Sequence, residues 1–456
     1  MRRPTTRSLA GGAAGIAAGI LGGIALTPGS AGNLAVPAAE RFIDAAHVPP
    51  ALTLPGKPVT LRYAIVCAPR DDGLPCAGSG DVFIRPGQSG VFRPLALQRG
   101  ADSIEGRYFV RVPDDIASNR DGFSYYAVLR DRTTGAEMTL PTGGAAAPQV
   151  SIPMRETISI DLGAHEFGRT RRSDARIVES KWGSAVGQAG LAGSRELGFT
   201  GPSAFDVDTS GAVTMLDQVN RRLQRWQNGR VSATDADVSG GLADLAVEPD
   251  GTVDVLEPPN RVTPWPMLRK LGRDGAVRWM RRLSDRTWSK LDAGPDGPVI
   301  LAAPSEQWMP VAANGVPLDR AAQAAHGRPG RPTRAGHDLV VDRIGDDELR
   351  LAETTGHTVI RSWRVTSSTP LGEVQLAEPL GNRLVVVLKT YTEDRAEYVA
   401  LLLGEGGAVL RFSVDAAEWA ESAPLARFRL AGGSLYHFGS TPSEAFVDRF
   451  DLEVPQ

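Results

Sequence analysis

The sequence predicts an all-β protein in which an N-terminal β-sandwich precedes a β-propeller of about six blades. Three observations carry that expectation. The chain has 51 Gly and 33 Pro among 456 residues, while 42% hydrophobic and 23% charged residues keep it in the globular range. Short alternating apolar runs punctuated by turn residues fill its first third, and a repeat of strand-sized segments fills the rest. The length exceeds one ordinary domain. A formal net charge of −3 argues against a nucleic-acid binder that works by bulk charge.

Residues 1–31 read as an export signal. Arg2, Arg3 and Arg7 are followed by the uncharged Ser8–Leu26 and by the small residues Pro28-Gly29-Ser30-Ala31. Cleavage after Ala31 is favoured, and an uncleaved anchor is the alternative because the apolar segment nearly spans a bilayer. The protein is therefore expected outside the cytoplasm, extracellular or associated with the envelope. Residues 32–55 read as a spacer.

Residues 56–141 read as a sandwich of immunoglobulin or fibronectin type. Strands are expected at Val59–Val66, Asp81–Arg85, Val91–Leu97, Gly106–Val112, Phe123–Leu129 and Glu137–Leu140. Two cysteines, Cys67 and Cys76, flank a Pro/Asp/Gly turn, and in an exported chain they most simply form a disulfide. A metal site needs more ligands, and this loop contains no His. Residues 142–156 read as a linker.

Residues 157–456 read as the propeller. Phe205-Asp-Val-Asp-Thr-Ser-Gly-Ala-Val-Thr-Met-Leu-Asp217 aligns with Leu245-Ala-Val-Glu-Pro-Asp-Gly-Thr-Val-Asp-Val-Leu-Glu257 in a constant forty-residue register. A third copy covers Leu291–Leu301, a degenerate fourth Leu339–Glu353, and weaker ones centre on Arg383–Leu388 and Ser434–Phe438. A strand near Arg176–Trp182 is expected to close the ring by joining the last blade.

Trp182-Gly183, Gly201-Pro202, Val207-Asp208, Gly211, Asp217-x-x-Asn220-Arg221 and Gln224-x-Trp226 together resemble the NHL-repeat family of six-bladed propellers. The match is specific over two blades and rhythmic beyond them. The resemblance implies a scaffold and no single activity, because such propellers include protein binders, RNA binders, sensor domains and a few metal-dependent enzymes.

In a propeller, ligands meet the loops at one mouth of the channel. Asp217, Asn220, Arg221, Glu257, Asn260 and Arg261 fall in such loops, and Gly201–Ser203 and Gly241 complete the expected mouth face. The structural alternative is that Asp and Asn cap tight turns. Asp217, Glu257 and Glu353 are the carboxylates that would hold Ca²⁺ if they converged. Two functions follow: a secreted or cell-surface binding protein for a protein or envelope glycan, and a calcium-dependent hydrolase or lyase. No cofactor is required by the first. No nucleic acid is expected, and membrane contact only through an uncleaved N-terminal segment. Two further features stand out. His437 sits in an expected strand and reads as a hydrogen-bonded core residue. The insertion Ala321–Gly336, rich in Arg and Pro over Gly327–Gly336, reads as an unstructured loop, a functional lid or decoration, whose deletion should not disturb the fold.

Overall fold

The computed structural model describes residues 43–452, apart from 68–77, 100–105, 133, 197, 237, 239–242, 260–262, 264, 284–287, 303–306, 314–315, 320–322, 324–326 and 421–425. The export segment, Cys76, Gly241, Asn260 and Arg261 lie outside the described residues. Cys67 ends a strand, and the expected disulfide lies outside what is described. Among the described residues no helix is long and apolar enough to cross a membrane.

Two sheets form the N-terminal part. In one, Ile43–Ala46 and Arg107–Arg111 flank Thr60–Cys67. In the other the order is Leu52–Thr53, Gln149–Pro153, Phe123–Asp131, Gly78–Pro86, Arg93–Ala96, with Glu137–Leu140 also paired to Phe123–Asp131. Alternation decides which side chains turn inward: Leu61, Tyr63 and Ile65 from one sheet meet Val82, Ile84, Tyr125, Ala127 and Leu129 from the other in a single core. Two boundaries differ from expectation. Ile43–Ala46 and Leu52–Thr53 are strands where a spacer was expected, and Gln149–Pro153 is a strand where a linker was expected. Their Ala and Pro content masked short strands that gain their hydrogen bonds from distant partners.

The rest of the chain is a β-propeller. Its sheets are named here blades A to F. Blade A contains Ala204–Val207, Val213–Asp217, Arg222–Gln227 and Arg230–Asp235. Blade B contains Asp244–Val247, Val253–Glu257, Met267–Leu271 and Val277–Arg282. Blade C is shorter, with Trp288–Gly294, Gly297–Ala302 and Gln307–Pro310. Blade D contains Arg331–Pro332, Asp338–Ile344, Glu348–Thr355 and Thr358–Thr366. Blade E contains Leu371–Leu380, Arg383–Tyr391, Ala396–Gly404 and Gly407–Asp415. Blade F contains Phe428–Ala431, Ser434–Ser440 and Glu444–Asp451.

The first strands of A and B, of B and C, of E and F, and of F and A lie side by side around a channel. Arg331 closes the remaining stretch by pairing with Asp292 of blade C and Glu378 of blade E. The forty-residue register is visible in the cores: Phe205 and Leu245, Met215 and Val255, and Leu216 and Leu256 are all buried. It is also visible in the turns. Gly211 and Gly251 have φ of +80° and +79°, a conformation that favours glycine.

A strap, residues 157–181, runs over three blades before the first blade begins. Thr157–Asp161 adds a parallel strand to the outer edge of blade D. Its continuation crosses blade E, where the Arg171 N–H donates to Ser413 O at 2.8 Å and Glu397 accepts from the Gly168 N–H at 2.6 Å. Ala175–Lys181 then pairs antiparallel with Glu444–Asp451 and becomes the fourth strand of blade F. The N-terminal sheets rest on blade D. Leu52, Ile152 and Met154 pack on Val340 and Ala352, which lie on the face opposite the one packed against blade E. Asp342 accepts the Leu52 N–H at 2.9 Å, and Arg350 donates to Leu52 O at 2.9 Å.

Candidate functional site

The two ends of the channel differ in chemistry. The end where each inner strand begins is the expected mouth. There the second strand of blade A delivers Asp217, which is fully buried. Its Oδ1 accepts from the N–H of Gly190 at 3.1 Å and of Asn220 at 3.3 Å. Its Oδ2 accepts from Asn220 Nδ2 at 2.8 Å and from Arg222 Nε and Gln224 Nε2, both at 3.2 Å. Arg222 then donates to the carbonyls of Ser184, Ala185 and Gln188. Asp217 and Asn220 thus clamp the segment 183–190 onto blade A, and the Asx-turn alternative describes them. Arg221 is exposed at the loop tip with φ of +55°.

The Asp217, Glu257 and Glu353 calcium set is corrected by the structure. The three carboxylates do not gather, and no group of metal-binding side chains occurs among the described residues. Each is buried beside an arginine of the neighbouring strand: Asp217 with Arg222, Glu257 with Arg269 at 2.7 Å, Glu353 with Arg361 at 2.8 Å. Glu353 also sits on the wrong strand for convergence. Blade D starts at Arg331, one strand earlier than the sequence alignment has it, so Glu353 belongs to the third strand. The apolar rhythm of Leu339–Glu353 fits either register, and the two-residue inner strand gave no apolar signal.

Gly201–Ser203 enters blade A against an aromatic cluster that the sequence did not single out. Phe199 stacks on Trp419 with ring centroids 4.5 Å apart, and Trp182 lies 5.9 Å from Trp419. Trp182 Nε1 donates to Thr441 O at 3.0 Å, and all three rings are half-buried. A Cβ on Gly201 would stand 3.2 Å from the Trp182 ring, so the absence of a side chain lets backbone lie on the indole. Trp182 and Phe199 come from the connection that leads into blade A and Trp419 from the one between blades E and F, which is why no local motif displays them together.

At the other end, where the inner strands finish, the channel holds a cavity of about 230 Å³. Side chains that alternate with the buried apolar ones point into it: Asp206, Asp292, Arg331, Glu378 and Arg429. Arg429 donates to the carbonyls of Phe205 and Leu245, both at 3.1 Å, and lies 3.4 Å from Asp206 and 3.8 Å from Asp244. Arg331 pairs with Asp292 at 3.1 Å and Glu378 at 2.5 Å and donates to Ala377 O. Asp206 and Asp244 reach across blades, accepting the N–H of Val247 at 2.7 Å and of Leu291 at 2.9 Å.

Electrostatics follow burial. Desolvation lifts the carboxyl groups of Asp206 and Glu378, and that of Asp244 to about 6, with Arg429 or Arg331 opposing. Burial alone would lower both guanidinium groups, but the surrounding carboxylates hold them above their ordinary range. Two earlier expectations change here. The Gly327–Gly336 insertion is not dispensable decoration: it provides blade D with its inner strand, buries Arg331 and Thr333, and turns Arg334 toward Val247 O. Its Arg and Pro content reads as solvated because the carboxylates that neutralise it come from other blades. His437 is buried as expected but differently satisfied. It stacks on Phe428 at 4.6 Å, and Nε2 has no hydrogen-bond partner.

The channel-lining set was partly visible in the repeat, since Asp206 and Asp292 occupy the same position beside Phe205 and Leu291. A carboxylate recurring inside an expected inner strand is the signal for an inward-facing polar group.

No family model matches the chain, and no curated protein does. Among solved structures it is similar to virginiamycin B lyase from Staphylococcus aureus, at 8% identity over 55% of this chain and 95% of that one, with a TM-score of 0.34. A protein of unknown function from Bacteroides caccae matches at 12% identity over 47% of this chain and 82% of that one, TM-score 0.33. Another from Bacteroides thetaiotaomicron matches at 9% identity over 91% of this chain and 98% of that one, TM-score 0.31. Identities of this size transfer no residue role to this chain.

Proposed function

We propose that this is an exported binding protein of the NHL-repeat type, in which an immunoglobulin-like sandwich accompanies a six-bladed propeller. The observation that carries the binding reading is the aromatic cluster of Trp182, Phe199 and Trp419 beside Gly201–Ser203 at the mouth. Half-buried rings held by packing and by the Trp182–Thr441 hydrogen bond offer flat apolar faces at small conformational cost. Such faces suit the apolar side of a sugar ring, so an envelope glycan is the ligand favoured over a protein. Arg221, exposed in the neighbouring blade loop, supplies a cation for an acidic glycan. The expected site is local to this mouth face.

Retention of the protein on purified envelope polysaccharide tests the proposal. Trp419→Ala should reduce retention at least about tenfold, the loss of one well-packed aromatic contact, with an unchanged far-UV spectrum. Equal retention of the variant and the parent would move the site away from this face. Retention on envelope proteins but not on polysaccharide would replace the glycan by a protein partner. Mass measurement of the mature protein tests export: its first residue should be Gly32.

A further inference from the structure

We infer that the cavity at the far end of the channel is a binding site for a small organic cation, an alkyl ammonium or guanidinium group received by Asp292 and Glu378. The side chain of Arg331 is 9% exposed, enclosed by Asp292, Glu378 and a backbone carbonyl. That of Arg429 is 13% exposed, facing two carbonyls and two aspartates. Both are tied to carboxylates and backbone carbonyls, so an entering anion would have to displace those partners. The carboxylates are the more open partners, with Asp292 at 24% and Glu378 at 26%.

Charge points the same way. Asp206, Asp292 and Glu378 line the cavity with Arg331, Arg334 and Arg429, and Asp244, buried behind the lining, also acts on Arg429. Arg334 is exposed at the rim and turned toward Val247 O, so with Asp244 counted the four carboxylates exceed the three guanidiniums by one. In a partly desolvated cavity an entering cation gains from that excess. The walls between the charges are Val207, Ala246, Val247, Ala293 and Leu376. They suit an alkyl chain, and with no aromatic ring among the lining residues they give a sugar no stacking face. Size limits the ligand. About 230 Å³ holds on the order of eight non-hydrogen atoms at roughly a water's volume each. A group of three or more metal-binding side chains is absent among the described residues, which favours an organic cation over a bare metal ion. This site is separate from the mouth face and does not depend on it.

Titration calorimetry of the full mature chain at low salt tests the inference, with agmatine and butylamine as probes and butyrate and 1-butanol as anionic and neutral controls of similar size. Both amines should bind saturably with Kd of about 1 mM or tighter, and the controls should not. Asp292→Asn should weaken agmatine at least about tenfold. Should Asp292→Asn compromise folding, Ala335→Trp, a change at an exposed rim position, should block entry while leaving the fold intact. Trp419→Ala, at the opposite end, should leave amine binding unchanged, so failure here and failure of the glycan reading are separable. Absence of saturable amine binding, equal binding of butyrate, or amine binding unaffected by Ala335→Trp would each overturn the inference.

Discussion

Replacing Asp217 by Ala would leave the Arg222 guanidinium buried with backbone carbonyls and no counter-charge. Breaking a buried pair from one side typically costs about 3–5 kcal/mol, and denaturant unfolding should report a loss of that order. His437 offers a second measurement at this scale. Burial, with Arg427 adding to it, pushes its ring down to about 3. Between that value and the ordinary histidine range, the unfolded chain takes up a proton that the native state refuses, so stability is lost as pH falls below about 6.5. His437→Phe removes this term, and its stability relative to the parent should rise as pH is lowered from 6.5 to 4. A flat difference across that window would show that the ring does not titrate on unfolding. The sequence made the burial of His437 and the turn role of Asp217 and Asn220 legible, because both depend on neighbours in the chain. Arg222 was not legible, since its partners in 183–190 are brought to it by the ring.

Strands were read well where side chains alternate and poorly where hydrogen bonds come from afar. Val59–Val66 was expected and Thr60–Cys67 is found; the expected closing strand near Arg176–Trp182 is Ala175–Lys181. Gln149–Pro153 and Arg331–Pro332 escaped because prolines and a lone arginine give no periodic signal, and their stability comes from Phe123–Asp131 and from Asp292 and Glu378. Deletion of Gly327–Gly336 should therefore prevent cooperative folding, the opposite of what a free loop would allow. A milder substitution, Arg331→Ala, leaves Asp292 and Glu378 facing each other across the channel and should destabilise by about 3 kcal/mol or more. Thermal unfolding unaffected by Arg331→Ala would show that the carboxylates find other partners.

For the whole molecule, the contact between the N-terminal sheets and blade D carries a testable pH signature. Burial lifts the Asp342 carboxyl to about 6, against the hydrogen bonds it accepts from the Leu52 and Ala51 backbone and the charge of Arg350. The folded protein then holds a proton that the unfolded chain has released, and stability falls as pH rises from about 4 to about 6. Asp342→Asn should remove that slope, gaining on the parent by up to about 2 kcal/mol across the window. Leu52→Ala in the same contact should cost about 2–5 kcal/mol by the cavity it leaves. The packing of the N-terminal sheets on blade D was not legible from sequence, because Val340 and Ala352 read as ordinary strand residues whose partners, Leu52 and Ile152, lie far away in the chain.

The strap sets a condition on synthesis. Residues 157–181 leave the ribosome before any blade is made, yet their partners in blades D, E and F come as many as 280 positions later, as with Arg171 and Asp451. Until then the strap is an unpaired edge, and such distant pairing is slow. A chain that stops before Glu444 cannot complete blade F, and Ala175–Lys181 is left without its antiparallel partner. Pairing of Glu444–Asp451 with the waiting strap is thus the late step that fastens blade F.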